Sequence, residues 1–313
     1  MHKDIRMIFM GTPEFALPSL KKLIKTGYNI VAVVTQPDRP KGRGRKIKPA
    51  PVKELALKYG LEVLQPEKIR DSEFLEKIRE KRPDFIVVVA YGQILPKGLL
   101  EIPKFLSINL HPSLLPKYRG AAPIQWAIMN DEKITGVTVI RMTEKMDAGP
   151  ILLQKEVPIL PDETAGSLHD RLSEIGADLL IDAIEAVVDG KIEEREQDES
   201  KATFAPKMDR SLSKIDWEKS AKEISARIRA LDPWPGAVSY IKDKEIKLFS
   251  SSCIDNEYKG VPGRVNFIDE EGVLVETVKG IVLIKEFQIP GKRRLKAKEF
   301  LKGFSIKKGD RFF

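Results

Sequence analysis

Asn109 and His111 stand two residues apart in Leu106-Ser-Ile-Asn-Leu-His111, a short run with the pattern of a strand. Side chains alternate faces along a strand, so these two project on the same side. Pro112 cannot continue a central ladder, which ends the strand there and leaves both polar groups at its carboxyl end. An amide donor beside an imidazole can hold a developing oxyanion and move a proton. A histidine in this place is also consistent with a hydrogen-bonded loop residue. Residue types and spacing leave both readings open. Asp147 lies in Glu144-Lys-Met-Asp-Ala-Gly149, where a turn is expected between two strands. Asp in such a turn is ordinary turn chemistry. The sheet could also carry it beside His111, where a carboxylate would fix the tautomer of the ring.

The elements that must position these groups alternate between strand and helix over residues 5–190. Strand patterns cover 5–10, 29–35, 85–90, 106–111, 137–142 and 151–157, and helical patterns cover 13–26, 51–59, 71–81, 122–130 and 164–188. Such alternation predicts an α/β fold with a doubly wound, mostly parallel, Rossmann-like sheet, in which ligands bind beyond the carboxyl ends of the strands. The first turn, Gly11-Thr-Pro-Glu14, has one glycine where a dinucleotide fingerprint needs three, so a nicotinamide-binding reading is weak. Residues 36–49 are rich in Pro and Gly, carry six Lys or Arg, and read as a mobile basic loop. Residues 190–209 are polar and aperiodic and are expected to be a linker between a first domain at 1–189 and a second at 210–313. After a helix near 220–231, short alternating runs at 237–241, 245–250, 263–268, 272–277 and 280–287 predict a small antiparallel β-barrel, OB-like.

The chain has 313 residues and a net charge of +8. Residues 207–313 hold 23 Lys and Arg against 16 Asp and Glu, so nearly the whole excess sits in the last third. An asymmetry of that kind favours a phosphate-bearing partner. One cysteine, Cys253, rules out an internal disulfide and a cysteine-cluster metal site. No apolar run has the length of a membrane helix. The first residues enter a strand pattern without a signal-peptide layout, so a cytoplasmic setting, no membrane partner and no metal are the expectations.

Three stretches, Asn109 to Pro116, Tyr118-Arg-Gly-Ala-Ala-Pro123 and Met146-Asp147, resemble the folate-dependent formyltransferases. The likeness extends to Val89-Ala-Tyr-Gly-Gln-Ile-Leu-Pro96, Phe204-Ala-Pro-Lys-Met208, Ile215-Asp-Trp217 and Asp232-Pro-Trp-Pro235. The resemblance implies a catalytic set of Asn109, His111 and Asp147. It implies folate contacts from Ser113, Leu114, Leu115 and Pro116, and a pterin pocket lined by Tyr91, Gly92, Ile94 and Leu95. The implied co-substrate is 10-formyltetrahydrofolate, and the implied acceptor is the α-amino group of methionine on initiator tRNA, taken by a monomer. Arg43, Arg45 and Lys207 are the expected tRNA contacts, Lys207 on the strength of the resemblance alone. Glycinamide ribonucleotide formyltransferase, formyltetrahydrofolate hydrolase and sugar-nucleotide formyltransferases share the implied first domain. None of them requires a basic second half. A non-catalytic RNA-binding protein on the same scaffold is a further alternative, against which the intact Asn109, His111 and Asp147 set argues.

Overall fold

A computed structural model describes residues 4–41, 46–255 and 257–313. Seven strands form the main sheet in the order Ile151–Pro158, Ile134–Arg141, Leu106–His111, Phe85–Val89, Arg6–Gly11, Asn29–Val34 and Val63–Leu64. The pairings from Leu106–His111 through to Val63–Leu64 are parallel, and Ile134–Arg141 joins Leu106–His111 antiparallel. All five residues of Phe85–Val89 are buried, as expected of a parallel strand covered on both faces. The strand order reverses direction at Arg6–Gly11, so the crevice between its end and that of Phe85–Val89 is the natural ligand position. Gly11 is needed there because a Cβ would lie 2.8 Å from the Val89 carbonyl oxygen and 2.9 Å from the Ala16 Cβ.

The predicted helices are present with trimmed ends. The first begins as a 3-10 turn at Glu14–Ala16 and continues as Leu17–Thr26, and the long one is Ala165–Val188. Gly176 lets that long helix approach the strand beneath it, since a Cβ there would meet Leu110 Cδ2 at 2.8 Å. Leu110 points to the face opposite Asn109 and His111, so the helix covers the back of the strand. Ser220 and Glu223 form a reciprocal capping box at the start of Ala221–Ala230.

Three expectations need correction. Residues 36–49 are not irregular throughout, because Arg39–Lys41 pairs antiparallel with Lys46–Lys48. Arg43 and Arg45 lie outside the described residues. Residues 190–205 are not a free linker but belong to the first compact unit, with Gly136–Val157, His169–Ala205 and everything up to Ala121. The second unit is Pro206–Phe313 together with Ala122–Thr135 and Pro158–Leu168. The physical reason is packing: Ala122, Trp126 and Met129 lie in the apolar core formed by Trp217, Ile224, Ile228 and the strands that follow.

That second unit holds an antiparallel sheet in the order Ala237–Ile241, Lys244–Asp255, Ile281–Gln288, Val273–Glu276, Val265–Ile268, with Leu295–Lys296 beside Ile281–Gln288. Its two ends are joined by the last residues. Phe313 exchanges backbone hydrogen bonds with Tyr240 at 3.0 and 2.9 Å, while Val265 N–H donates to Asp310 at 2.8 Å and Phe312 N–H to Gly263 at 2.8 Å. The barrel is thereby closed, which the alternation pattern alone did not reveal. Beside the seam the Glu276 carboxylate, 1% exposed, accepts from Arg264, Asn266, Tyr258 and the Val261 N–H.

Two outcomes follow for stability. Phe312 is 1% exposed, its ring tilted against that of Trp217 with centroids 5.6 Å apart, whereas Phe313 is 61% exposed. Phe312→Ala should cost about 3–5 kcal/mol by denaturant midpoint, and Phe313→Ala no more than about 0.5 kcal/mol. Burial works against the charge on Glu276, but Arg264, Asn266, Val261 and Tyr258 outweigh it and hold the carboxyl down at about 2. A depressed carboxyl stabilises the fold above its unfolded value and loses that contribution as pH falls toward the folded value. Glu276→Gln should therefore remove about 3 kcal/mol near neutral pH and flatten the acid limb between about pH 4.3 and pH 2. An unchanged acid limb would show that the cluster carries no such linkage.

Candidate active site

The strand Leu106–His111 carries Asn109 and His111 on one face, as the alternation requires. The Ile134–Arg141 and Ile151–Pro158 strands bring the intervening turn back across that strand end, and Asp147 arrives between the two. Its carboxylate Oδ1 lies 3.5 Å from Asn109 Nδ2, and Oδ2 lies 3.6 Å from His111 Nδ1. The Gly120 N–H donates to the same Oδ2 at 2.9 Å. His111 is 4% exposed, and its Nε2 lies 2.9 Å from the Tyr118 carbonyl oxygen. A carbonyl only accepts, so Nε2 carries a hydrogen, and Nδ1 is the nitrogen left to face the carboxylate and a reactant. The three residues expected to act together are brought together.

The expected folate segments divide by burial. Ser113 is fully buried and donates to the Lys117 carbonyl at 2.7 Å, and Leu115 is 3% exposed. Thr138 pins this stretch, donating to the Ser113 carbonyl at 2.6 Å while accepting from Leu115 N–H at 3.3 Å and from Gln154 at 2.8 Å. Leu114 and Pro116 keep the partly exposed side chains. In the 91–95 stretch, Tyr91 and Leu95 are each 2% exposed and lie in the apolar cluster with Ile8, Met10 and Val88, while Gly92 and Ile94 are exposed. Burial pushes the Tyr91 phenol up to about 12. The Tyr91 carbonyl accepts from Gln36 Nε2 at 3.3 Å and Thr12 Oγ1 at 3.4 Å, which fixes this segment at the crevice. Arg141 pairs with Glu194 at 2.8 Å. Lys207 is exposed.

The roles of several further groups were not visible in the sequence. Gly120, with φ of 121°, brings its amide to Asp147, and a Cβ there would sit 2.8 Å from the Ala205 carbonyl oxygen. Phe204–Ala205 pairs in parallel with Arg119–Gly120, and Tyr118 N–H donates to Thr203 Oγ1 at 2.9 Å. Gln197, 9% exposed, donates to the carbonyls of Asp147 at 2.8 Å and Gly149 at 2.7 Å. The only available signal was the interruption of an acidic run by one glutamine. The arrangement offers two donors at one carbonyl position with a carboxylate alongside, a layout for attack on a carbonyl carbon and transfer of a proton.

Comparison with known proteins agrees with that chemistry. Residues 4–184 match the formyl transferase family, and residues 207–305 match the formyl transferase C-terminal domain. A methionyl-tRNA formyltransferase of Clostridium novyi (strain NT) is 48% identical over 303 residues, covering 96% of this chain and 98% of that protein. The corresponding protein of Geobacter sulfurreducens is 46% identical, covering 98% of this chain and 96% of that one. Among solved structures, HypX from Aquifex aeolicus in complex with tetrahydrofolic acid shares the fold with a TM-score of 0.66 at 22% identity, covering 100% of this chain and 51% of that one.

Gly120→Ala should test how tightly the amide that holds Asp147 is constrained. The added Cβ meets backbone rather than a flexible side-chain end, so the strain should cost about 1–3 kcal/mol by denaturant midpoint. An unaltered midpoint would mean that the 118–121 backbone adjusts freely.

Proposed function

The chain belongs to the formyl transferase family across both units, and we propose that it moves a formyl group from 10-formyltetrahydrofolate to the α-amino group of methionine on initiator tRNA. The observation that carries this reading is the convergence of Asn109, His111 and Asp147 at one strand end, with Asp147 3.5 Å from the amide and 3.6 Å from the imidazole. The full-length relatives named for methionyl-tRNA favour this acceptor over a ribonucleotide or a sugar nucleotide.

The chemistry of these residues follows from what each can donate or accept. The amine attacks the formyl carbon in its neutral form, and negative charge grows on the formyl oxygen. The Asn109 amide and the Nδ1–H of a protonated His111 stabilise that oxygen, because Nε2–H is committed to the Tyr118 carbonyl. A donor of this type contributes about 3 kcal/mol. Asp147 orients the ring and accepts the amine proton, directly or through water. As the new C–N bond forms, the bond to the folate nitrogen breaks and that nitrogen takes up a proton. Leu114, Pro116, Gly92 and Ile94 offer the exposed surface of the expected folate segments.

The tRNA needs charge spread over a wide surface rather than base-reading groups. Lys207, Lys292, Arg293, Lys296, Lys302, Lys307 and Lys308 are exposed on the second unit. Arg43 and Arg45 belong to the same reading, as contacts near the acceptor end.

Incubation of charged initiator tRNA with 10-formyltetrahydrofolate should yield formylmethionyl-tRNA. Binding of the tRNA with an unmodified amine would overturn the reading in favour of a binding protein. His111→Ala and Asp147→Ala should each lower kcat by orders of magnitude with little change in tRNA affinity, since both act on charge that develops during reaction. Replacing Arg43 and Arg45 together with Ala should weaken tRNA use, spare folate binding, and reduce the log–log salt slope by roughly one to two. An unchanged slope would remove both residues from the interface.

A further inference from the structure

Asp147 depends on groups outside the expected catalytic set and folate segments. Its backbone has φ of 52°, a left-handed conformation that a non-glycine residue keeps only when its surroundings hold it. Two residues on, Gly149 passes so close to Arg141 that a Cβ would lie 1.8 Å from the Arg141 carbonyl oxygen. The Gln197 amide group spans this turn, donating one hydrogen to the Asp147 carbonyl and the other to the Gly149 carbonyl.

The direction of that amide is set by a buried cation. Arg119 is 3% exposed, and its Nε and Nη2 donate to Gln197 Oε1 at 3.1 and 2.8 Å. A guanidinium has only donors, so the atom facing it must be the amide oxygen, and the NH2 group must face the two carbonyls. The same guanidinium forms two parallel bonds with Glu199 at 3.0 and 2.8 Å. Arg119 also sits between Tyr118, whose carbonyl accepts from His111, and Gly120, whose N–H donates to Asp147. One side chain is thus tied to the backbone groups that hold the imidazole, the carboxylate and the turn.

We propose that Arg119 and Gln197 are positioning residues for formyl transfer, acting through Asp147 and His111 without touching either substrate. This rests on the function proposed above. Gln197→Glu isolates the claim, because a carboxylate keeps the shape and still accepts from Arg119 but cannot donate to the two carbonyls. Arg119→Lys keeps the charge but loses the fork. Glu199→Gln is the control, since that side chain is 71% exposed and its pairing is a surface interaction.

The experiment measures kcat and KM for both substrates, with folding checked by thermal melting. Gln197→Glu and Arg119→Lys should lower kcat by about tenfold to a hundredfold, with KM for folate and tRNA within about twofold and Glu199→Gln near wild type. A double variant, Asp147→Ala with Gln197→Glu, should be no slower than Asp147→Ala alone, because a residue acting through Asp147 has nothing left to act on. Multiplied losses in the double variant, or a loss carried by KM, would overturn the proposal. Full kcat in Gln197→Glu would overturn it too. A purely structural role would lower the melting temperature without producing this non-additivity. The chain has three histidines, so the His111 ring nitrogen signals are assignable by NMR. Gln197→Glu should shift the Nδ1 resonance, and an unmoved resonance counts against the positioning role. Should the wild type fail to formylate methionyl-tRNA, the functional reading falls while the resonance still decides the positioning claim.

Discussion

The geometry of the site rests on one carboxylate that three groups face. Asp147 receives the Gly120 N–H at 2.9 Å and faces Asn109 and His111 at 3.5 and 3.6 Å. Those groups come from a strand, the segment after it, and a turn between two other strands. Each must be placed for the carboxylate to bridge them, so much of the first unit can be understood as support for that bridge. The back of the strand is fixed by Leu110 under Gly176, and its continuation is pinned by Thr138 and Gln154. The turn is held by Gln197.

Positions fixed by local periodicity were legible in the sequence. Asn109 and His111 share a face because the strand repeat is two, and Pro112 marks its end, so the pair needed only the alternation rule. The parallel sheet, the long helix and the later antiparallel strands were legible for the same reason. Asp147 needed the tertiary fold, and its role was available only through resemblance to a family. Arg119, Gln197 and Glu199 left no periodic trace, because they sit in irregular segments whose partners are about 80 residues away. An acidic, aperiodic stretch has the composition of a linker, and nothing local records that its one glutamine is buried. The closing of the barrel by residues 309–313 escaped for a similar reason: Gly-Asp-Arg-Phe-Phe has no alternation long enough to declare a strand.

The basic character of the second half also changes meaning once side chains are placed. Arg294 is bound to Asp232 and Glu286 and lies over the Phe249 ring at 4.2 Å. Arg264 serves Glu276, Arg227 donates to the Leu212 carbonyl, and Arg229, 7% exposed, donates to that of Glu163. These arginines use their forks inside the unit, and most of the exposed positive surface is lysine. Lysine is a flexible point charge rather than a planar reader, suited to phosphates whatever the base sequence.

The second unit is assembled from three separated stretches, 122–135, 158–168 and 206–313, and this bears on how the chain is made. During synthesis the helix Pro123–Met129 leaves the ribosome long before the helix Ala221–Ala230 that it packs against. At roughly 5–20 residues per second, Trp126 and Met129 wait on the order of 5–20 s for their partners. Throughout that interval they remain apolar groups without a core, beside a first unit that is itself unfinished until Ala205 has emerged. The nascent chain therefore passes through a period in which neither unit can fold completely, and the segment 122–135, made long before the core it belongs to, is the one most exposed to off-pathway association.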